Sequence, residues 1–128
     1  MCPDIADGTT DVASVAARFV ALWRAGDFQG AGERYWADDI VSFEPHDLPD
    51  GTPAVCRGID AVRTKTRQWL ATHGIEGLSL DGAVVTGDRF AVFADMLIAH
   101  AGQRIPHSQI AVFVVRNGRI SEEHHFYD

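Results

Sequence analysis

The chain has 128 residues, 46% of them hydrophobic and 23% charged, which is the make-up of one globular domain long enough to bury a core. Its formal net charge of −7 argues against nucleic acid and anionic membranes as partners, since both require a basic surface. No apolar run approaches the roughly 18–20 residues of a membrane span, and "MCPDIADGTT" lacks a basic stretch ahead of an apolar one, so it does not read as a signal peptide and a cytoplasmic location is expected.

Residues 1–9 are expected to be a flexible tail of a single domain spanning 1–128. A first helix is predicted over about 11–25, where Val12, Val15, Ala16, Phe19, Val20 and Trp23 recur at helical spacing, with Thr9 or Thr10 as its cap and Gly26 as its stop. A second, shorter helix over about 28–37 starts from Asp27 and places Phe28, Ala31 and Tyr35 on one face, although Gly30 and Gly32 weaken it. A brief strand, "IVSFE" (40–44), precedes a loop over 45–58 with three prolines and two glycines. The third helix is predicted over about 59–72, with Ile59, Val62, Thr66, Trp69 and Leu70 inward. The basic residues Arg57, Arg63, Lys65 and Arg67 read as a solvated face.

From residue 75 the period of the apolar positions changes to two. Strands are predicted at about 75–86, 89–99, 104–116 and 119–127, joined by "GD", "HAGQ" and "NG"; the last dipeptide is a strong hairpin signal. Consecutive hairpins make an antiparallel meander, and helices followed by such a meander make an α+β domain.

Strand alternation decides which polar side chains can meet. In the last strand, Ile120, Glu122, His124 and Phe126 fall on one face, and Ser121, Glu123, His125 and Tyr127 on the other. Periodicity does not choose which face looks inward. In strand 104–116, Ile105, His107, Gln109, Ala111 and Phe113 share a face, and this mixture of polar and apolar groups suits a pocket wall. Asp95, the lone charge in "FAVFADMLIA", belongs either in a cavity or on a sheet face at a dimer contact. His46 and His73 read as solvated, and His100 sits at a hairpin. His107 and His125 with a carboxylate would make either an acid–base pair or a two-histidine, one-carboxylate metal site. No spacing diagnostic of metal is present, so none is assigned. Cys2 and Cys56 make neither a zinc motif nor a disulfide framework, and Cys56 reads as a structural or exposed thiol.

The stretches "ALWRAGDFQGAGERYWADDIVSFEP", "CRGIDAVR", "TGDRFAVFADM" and "FVVRNGRISEEHHFYD" resemble the nuclear transport factor 2-like superfamily, in its SnoaL-like and ketosteroid-isomerase-like branch. The resemblance covers nearly the whole chain. It implies a cone-shaped (cystatin-like) α+β barrel, with three N-terminal helices packed on a curved, mainly antiparallel sheet of four to six strands. It also implies a deep internal pocket, no organic cofactor and a homodimer through the sheet face. In similar proteins the positions of Glu123, His125 and Tyr127 face the pocket. Glu44, just before Pro45, matches the carboxylate that serves ketosteroid isomerases as general base, and desolvation at an apolar rim favours that role. A glutamate ending a strand could instead pair with a nearby arginine such as Arg57. The pattern then departs: the family's oxyanion donors, a tyrosine and a protonated aspartic acid, fall here on Phe19 and at or near Ala111, which donate nothing. Tyr35, Gln109, His125 or Tyr127 would have to substitute.

The expected function is binding of a hydrophobic small molecule in the cone, with proton transfer of isomerase, cyclase or dehydratase type. Glu44, His107, Glu123 and His125 are the candidate acid–base groups. Phe19, Tyr35, Asp95, Gln109, Phe113 and Tyr127 are the candidate ligand contacts. The alternative is a non-catalytic ligand-binding or dimerisation module.

Overall fold

A computed structural model describes residues 11–128. Its elements are α1 (Val12–Arg24), α2 (Phe28–Tyr35), β1 (Trp36–Phe43), β2 (Val55–Arg57), α3 (Ile59–Thr72), β3 (Gly74–Thr86), β4 (Arg89–His100), β5 (Gln103–Arg116) and β6 (Arg119–Phe126). The expected order of helices and strands holds, with three differences. β1 begins at Trp36, directly after α2, and is eight residues long. Within the segment predicted as loop, Val55–Arg57 forms a short strand paired with β1. The cap of α1 is Asp11, which accepts from the Ala13 amide at 3.2 Å; Thr9 and Thr10 lie outside the described residues.

The six strands form one sheet in the order β2-β1-β6-β5-β4-β3. The hairpins β3-β4, β4-β5 and β5-β6 are antiparallel, as their short turns demand. β6 then pairs parallel to β1, which puts the last strand in the interior of the sheet rather than at its edge. The sheet is curved and does not close on itself; the helices cover its concave side, so the cone is part sheet and part helix.

The core sits between α1 and the middle of the sheet. Phe19 anchors it, with ring centroids 4.7 Å from Phe113, 5.8 Å from Phe90 and 5.4 Å from Trp23. Aromatic pairs at such distances contribute about 0.5–1.5 kcal/mol beyond area burial. The residue at the expected tyrosine position is thus a core residue, 1% exposed. A smaller cluster of Ala94, Met96 and Ile98 packs with Trp69, Ile75 and Leu78 farther along the cone. Cys56 is buried, and burial pushes its thiol up from the ordinary range, as suits a structural cysteine.

β6 breaks its own alternation. Val115 pairs with Ile120 and Val114 with Glu122, so Ser121 is an extra residue, a β-bulge. Ile120 and Glu123 are consequently both buried on the concave side, although simple alternation places Ile120 with Glu122 and His124.

Candidate active site

The concave side encloses a cavity of about 310 Å³. Most of its wall is apolar: Phe19, Trp23 and Phe28 at one side; Trp69, Leu70 and Ile75 at another; Met96, Ile98 and Ile105 from the sheet. His46, Leu48 and Pro49 of the loop after β1 form a lip. That loop is held by its own turns, with Asp47 accepting from the Ala54 amide at 2.8 Å and Leu48 N–H donating to the Thr52 carbonyl at 2.9 Å.

One wall is polar, and register builds it. Ser42 of β1 lies opposite Glu123 of β6. Two residues on, the same face carries Glu44 and His125. α3 crosses β1 and lowers Lys65 onto this grid. The Lys65 ammonium lies 2.6 Å from a Glu44 oxygen and donates to Ser42 Oγ at 2.6 Å. Ser42 in turn donates to Glu123 at 2.7 Å. The other Glu123 oxygen accepts from Trp36 Nε1 at 3.0 Å. His125 Nε2 is 3.1 Å from Glu123 and 3.8 Å from Glu44. Tyr127 donates to the second Glu44 oxygen at 2.5 Å.

Among the described residues the fully buried polar or charged side chains are Ser42, Lys65 and Glu123, and all three belong to this network. Burying a charge is costly unless it is paired and hydrogen-bonded, and each member here has partners. Burial by itself would push the Glu123 carboxyl up; the hydrogen bond and charge of His125, with Lys65 and Ser42, outweigh it and hold the group at about 2. Glu123 is therefore a carboxylate at neutral pH, placed to fix the His125 ring. Burial first, then the bond to the Glu44 carboxylate, raises the Tyr127 hydroxyl above its ordinary value, so Tyr127 acts as a donor.

The expected acid–base residues Glu44, His107, Glu123 and His125 all line the cavity. His107 stands apart from the buried network, near Gln109 (3.5 Å) and with its ring 5.0 Å from that of Tyr127. Of the residues expected as ligand contacts, Phe19, Gln109 and Tyr127 line the cavity. Three expected contacts lie elsewhere. Tyr35 is packed edge-on against Phe19 in the core, and Phe113 is buried beneath it. Asp95 is exposed on the convex sheet face, bonded to Ser108 at 2.5 Å, because its position in β4 alternates outward between Ala94 and Met96.

Other expectations change as well. Glu44 pairs with Lys65, not with Arg57. Lys65 is 7% exposed rather than solvated. Its burial was available from spacing, since Val62, Lys65 and Trp69 stand at i, i+3 and i+7 on one helix face. Ser42 and Trp36 were also missed as site residues; Ser42 lies two positions before Glu44 and so had to share its face. His46 is exposed, as expected, while also lining the cavity mouth; His73 is half-buried and lines the cavity too. His73 stacks on Trp69 at 4.4 Å and on His100 at 4.2 Å. Arg63 grips Glu33 of α2 with two bonds, at 2.7 and 2.9 Å. His124 is 2.9 Å from Glu122 and stacks on Phe43, on the convex face. No group of three or more histidine, cysteine, aspartate or glutamate side chains among the described residues is arranged to hold a metal ion.

Residues 9–127 match the family model of the SnoaL-like domain. No functionally curated protein matches the chain. Among solved structures, a Mesorhizobium loti protein whose proposed activity is that of a SnoaL-like polyketide cyclase is 36% identical, with 91% of this chain and 98% of that chain covered and a TM-score of 0.83. An NTF2-like protein of unknown function from Burkholderia pseudomallei shares the fold at 17% identity, 95% and 92% coverage and a TM-score of 0.73. TerC, co-crystallised with polyporic acid, shares it at 14% identity, 95% and 92% coverage and a TM-score of 0.72. The chain belongs to the SnoaL-like domain family, and its fold is that of NTF2-like proteins.

Proposed function

We propose that the cavity binds a small, mainly apolar molecule by a polar end and that Glu44 and His125 move a proton on it, in chemistry of isomerase, cyclase or dehydratase type that needs no organic cofactor. The observation that carries this reading is the approach of Glu44 and His125 to 3.8 Å on the wall of one otherwise apolar cavity. Both are nearly withdrawn from solvent, at 9% and 12% side-chain exposure, so a ligand in the cavity meets them without competing bulk water. Glu44 is the proton acceptor and His125 the complementary donor. Glu123 positions His125. Tyr127, Gln109 and His107 orient the ligand. The proposed cyclase activity of the Mesorhizobium loti relative and the co-crystallisation of TerC with polyporic acid fit a pocket of this kind.

One observation favours a second, non-catalytic reading. Both oxygens of Glu44 already have partners, Tyr127 and Lys65, and the expected oxyanion positions hold Phe19 and Ala111. On that reading the cavity binds the same class of ligand and leaves it unchanged. A thermal-shift screen of small cyclic ketones and hydroxyaromatics, run on wild type and Glu44→Gln, separates the two. Catalysis requires ligands that stabilise both proteins and are converted only by wild type; stabilisation of both with conversion by neither supports the binding module.

The partner surface proposed for self-association is the convex sheet face. There Phe93, Ile110 and Phe126 stand in one register row, 42%, 40% and 53% exposed. A row of large apolar groups left in water suits the interface of a homodimer. No described helix is long and apolar enough to cross a membrane, and the cytoplasm is the proposed location.

A further inference from the structure

The polar wall contains a cation, Lys65, with two partners among the described residues, Glu44 and Ser42. An ammonium carries three N–H donors, and Lys65 lines the cavity. Ser42 cannot turn away, because it accepts from Lys65 while donating to Glu123. The ammonium is thus fixed in place, almost wholly desolvated, beside the proposed proton acceptor. We infer that Lys65 is the group that receives the ligand's anionic oxygen, and that the ligand class is an enolisable carbonyl compound or its enol, with an apolar body.

This inference rests on the proton-transfer reading for its chemistry. In the step, Glu44 takes a proton from the carbon next to the carbonyl. The C–H electron pair becomes a C=C bond, the C=O π pair moves to oxygen, and an enolate forms. As Glu44 accepts the proton it loses its negative charge, and with it the hold on Lys65. In the same event the ligand oxygen gains a negative charge. The ammonium passes from one anion to the other, and the net charge of the wall and ligand is unchanged. A pre-placed donor facing newly formed charge in a water-poor site is the arrangement that lowers such a barrier most. It also removes the need for donors at Phe19 and Ala111. A Schiff base is not inferred, because an ammonium held by a carboxylate is not a nucleophile.

Phenolates are stable mimics of such enolates, and their ionisation is visible by ultraviolet absorbance. The test is binding of a series of substituted phenols of graded acidity to the full chain. Three proteins are compared: wild type, Glu44→Gln, and the double variant Glu44→Gln/Lys65→Met. Glu44→Gln resembles the protonated acceptor, so it should bind phenolate at least tenfold more tightly than wild type while losing turnover. The double variant should lose that gain and bind the neutral phenol. It leaves no orphan charge. If it nevertheless melts below assay temperature, Glu44→Gln/Lys65→Gln takes its place. Unchanged or weaker phenolate binding by Glu44→Gln overturns the inference, as does equal binding by the double variant or the absence of binding by any phenol to solubility. Lys65-dependent phenolate binding without turnover of any carbonyl compound would instead sink the proton-transfer reading and leave the anchor standing. Turnover with phenolate binding indifferent to Lys65 would do the reverse.

Discussion

Glu123 shows how one side chain ties stability to function. Its carboxyl is held at about 2, against an ordinary value of 4.5. A depressed carboxyl contributes stability that is present above the unfolded value and is lost as pH falls through the folded one. The window is therefore about pH 4.5 down to about 2, and at about 1.4 kcal/mol per pKa unit the loss is on the order of 3 kcal/mol. Urea unfolding of wild type across that range should show this fall; Glu123→Gln should be less stable at neutral pH and lack that part of the slope. Equal acid profiles for the two proteins would contradict the assignment. Lys65 invites a second test. Lys65→Met leaves the Glu44 carboxylate buried without its cation, a change that costs roughly 3–5 kcal/mol. Adding Glu44→Gln should restore most of it, as measured by a double-mutant cycle in urea. Additive losses would mean that the pair does not interact as described.

At the scale of elements, the site depends on two local departures from regular structure. The bulge at Ser121 lets Ile120 enter the core while Glu123 and His125 still face the cavity. Gly32 makes room for the Trp36 indole: a Cβ there would come within 2.1 Å of the ring. Gly32→Ala should displace the indole from Glu123 and destabilise the protein by about 1–3 kcal/mol, the usual cost of overpacking. Tryptophan emission and urea midpoints would report both effects, and unchanged values would contradict this packing. These departures also explain which parts of the site were legible in sequence. Period-two alternation is local, so it could group Glu123 with His125 and Tyr127, and His107 with Gln109; the choice of the inward face of the last strand and the place of Glu44 came from the family resemblance. Alternation misplaced Ile120, since a bulge is set by pairing with the neighbouring strand. Lys65 was missed because charge alone suggested solvent, whereas its partner Glu44 arrives from another element.

For the whole molecule, the helix order and the antiparallel meander followed from short-range signals such as Asn117-Gly118 and the apolar periods of α1 and α3. The parallel pairing of β1 with β6 did not, because it joins segments about 80 residues apart and no local turn announces it. That pairing completes the cavity by bringing Ser42 and Glu44 beside Glu123 and His125. The opposite face of the same sheet carries Phe93, Ile110 and Phe126. Phe126→Asp with Ile110→Asp should convert a dimer to monomer in sedimentation velocity without lowering thermal stability of the fold much; a wild type that is already monomeric would contradict the proposed interface. The most direct test of the central claim is deuterium exchange. A cyclic ketone found to bind the cavity is incubated in D₂O, and incorporation at the carbon next to the carbonyl is followed by NMR. Wild type should exchange that proton with retention of the fold, while Glu44→Gln should fall by about 10²-fold or more, in the range contributed by a positioned acid–base group. Exchange at equal rates in wild type and Glu44→Gln, with the ligand bound to both, would contradict proton transfer at this site.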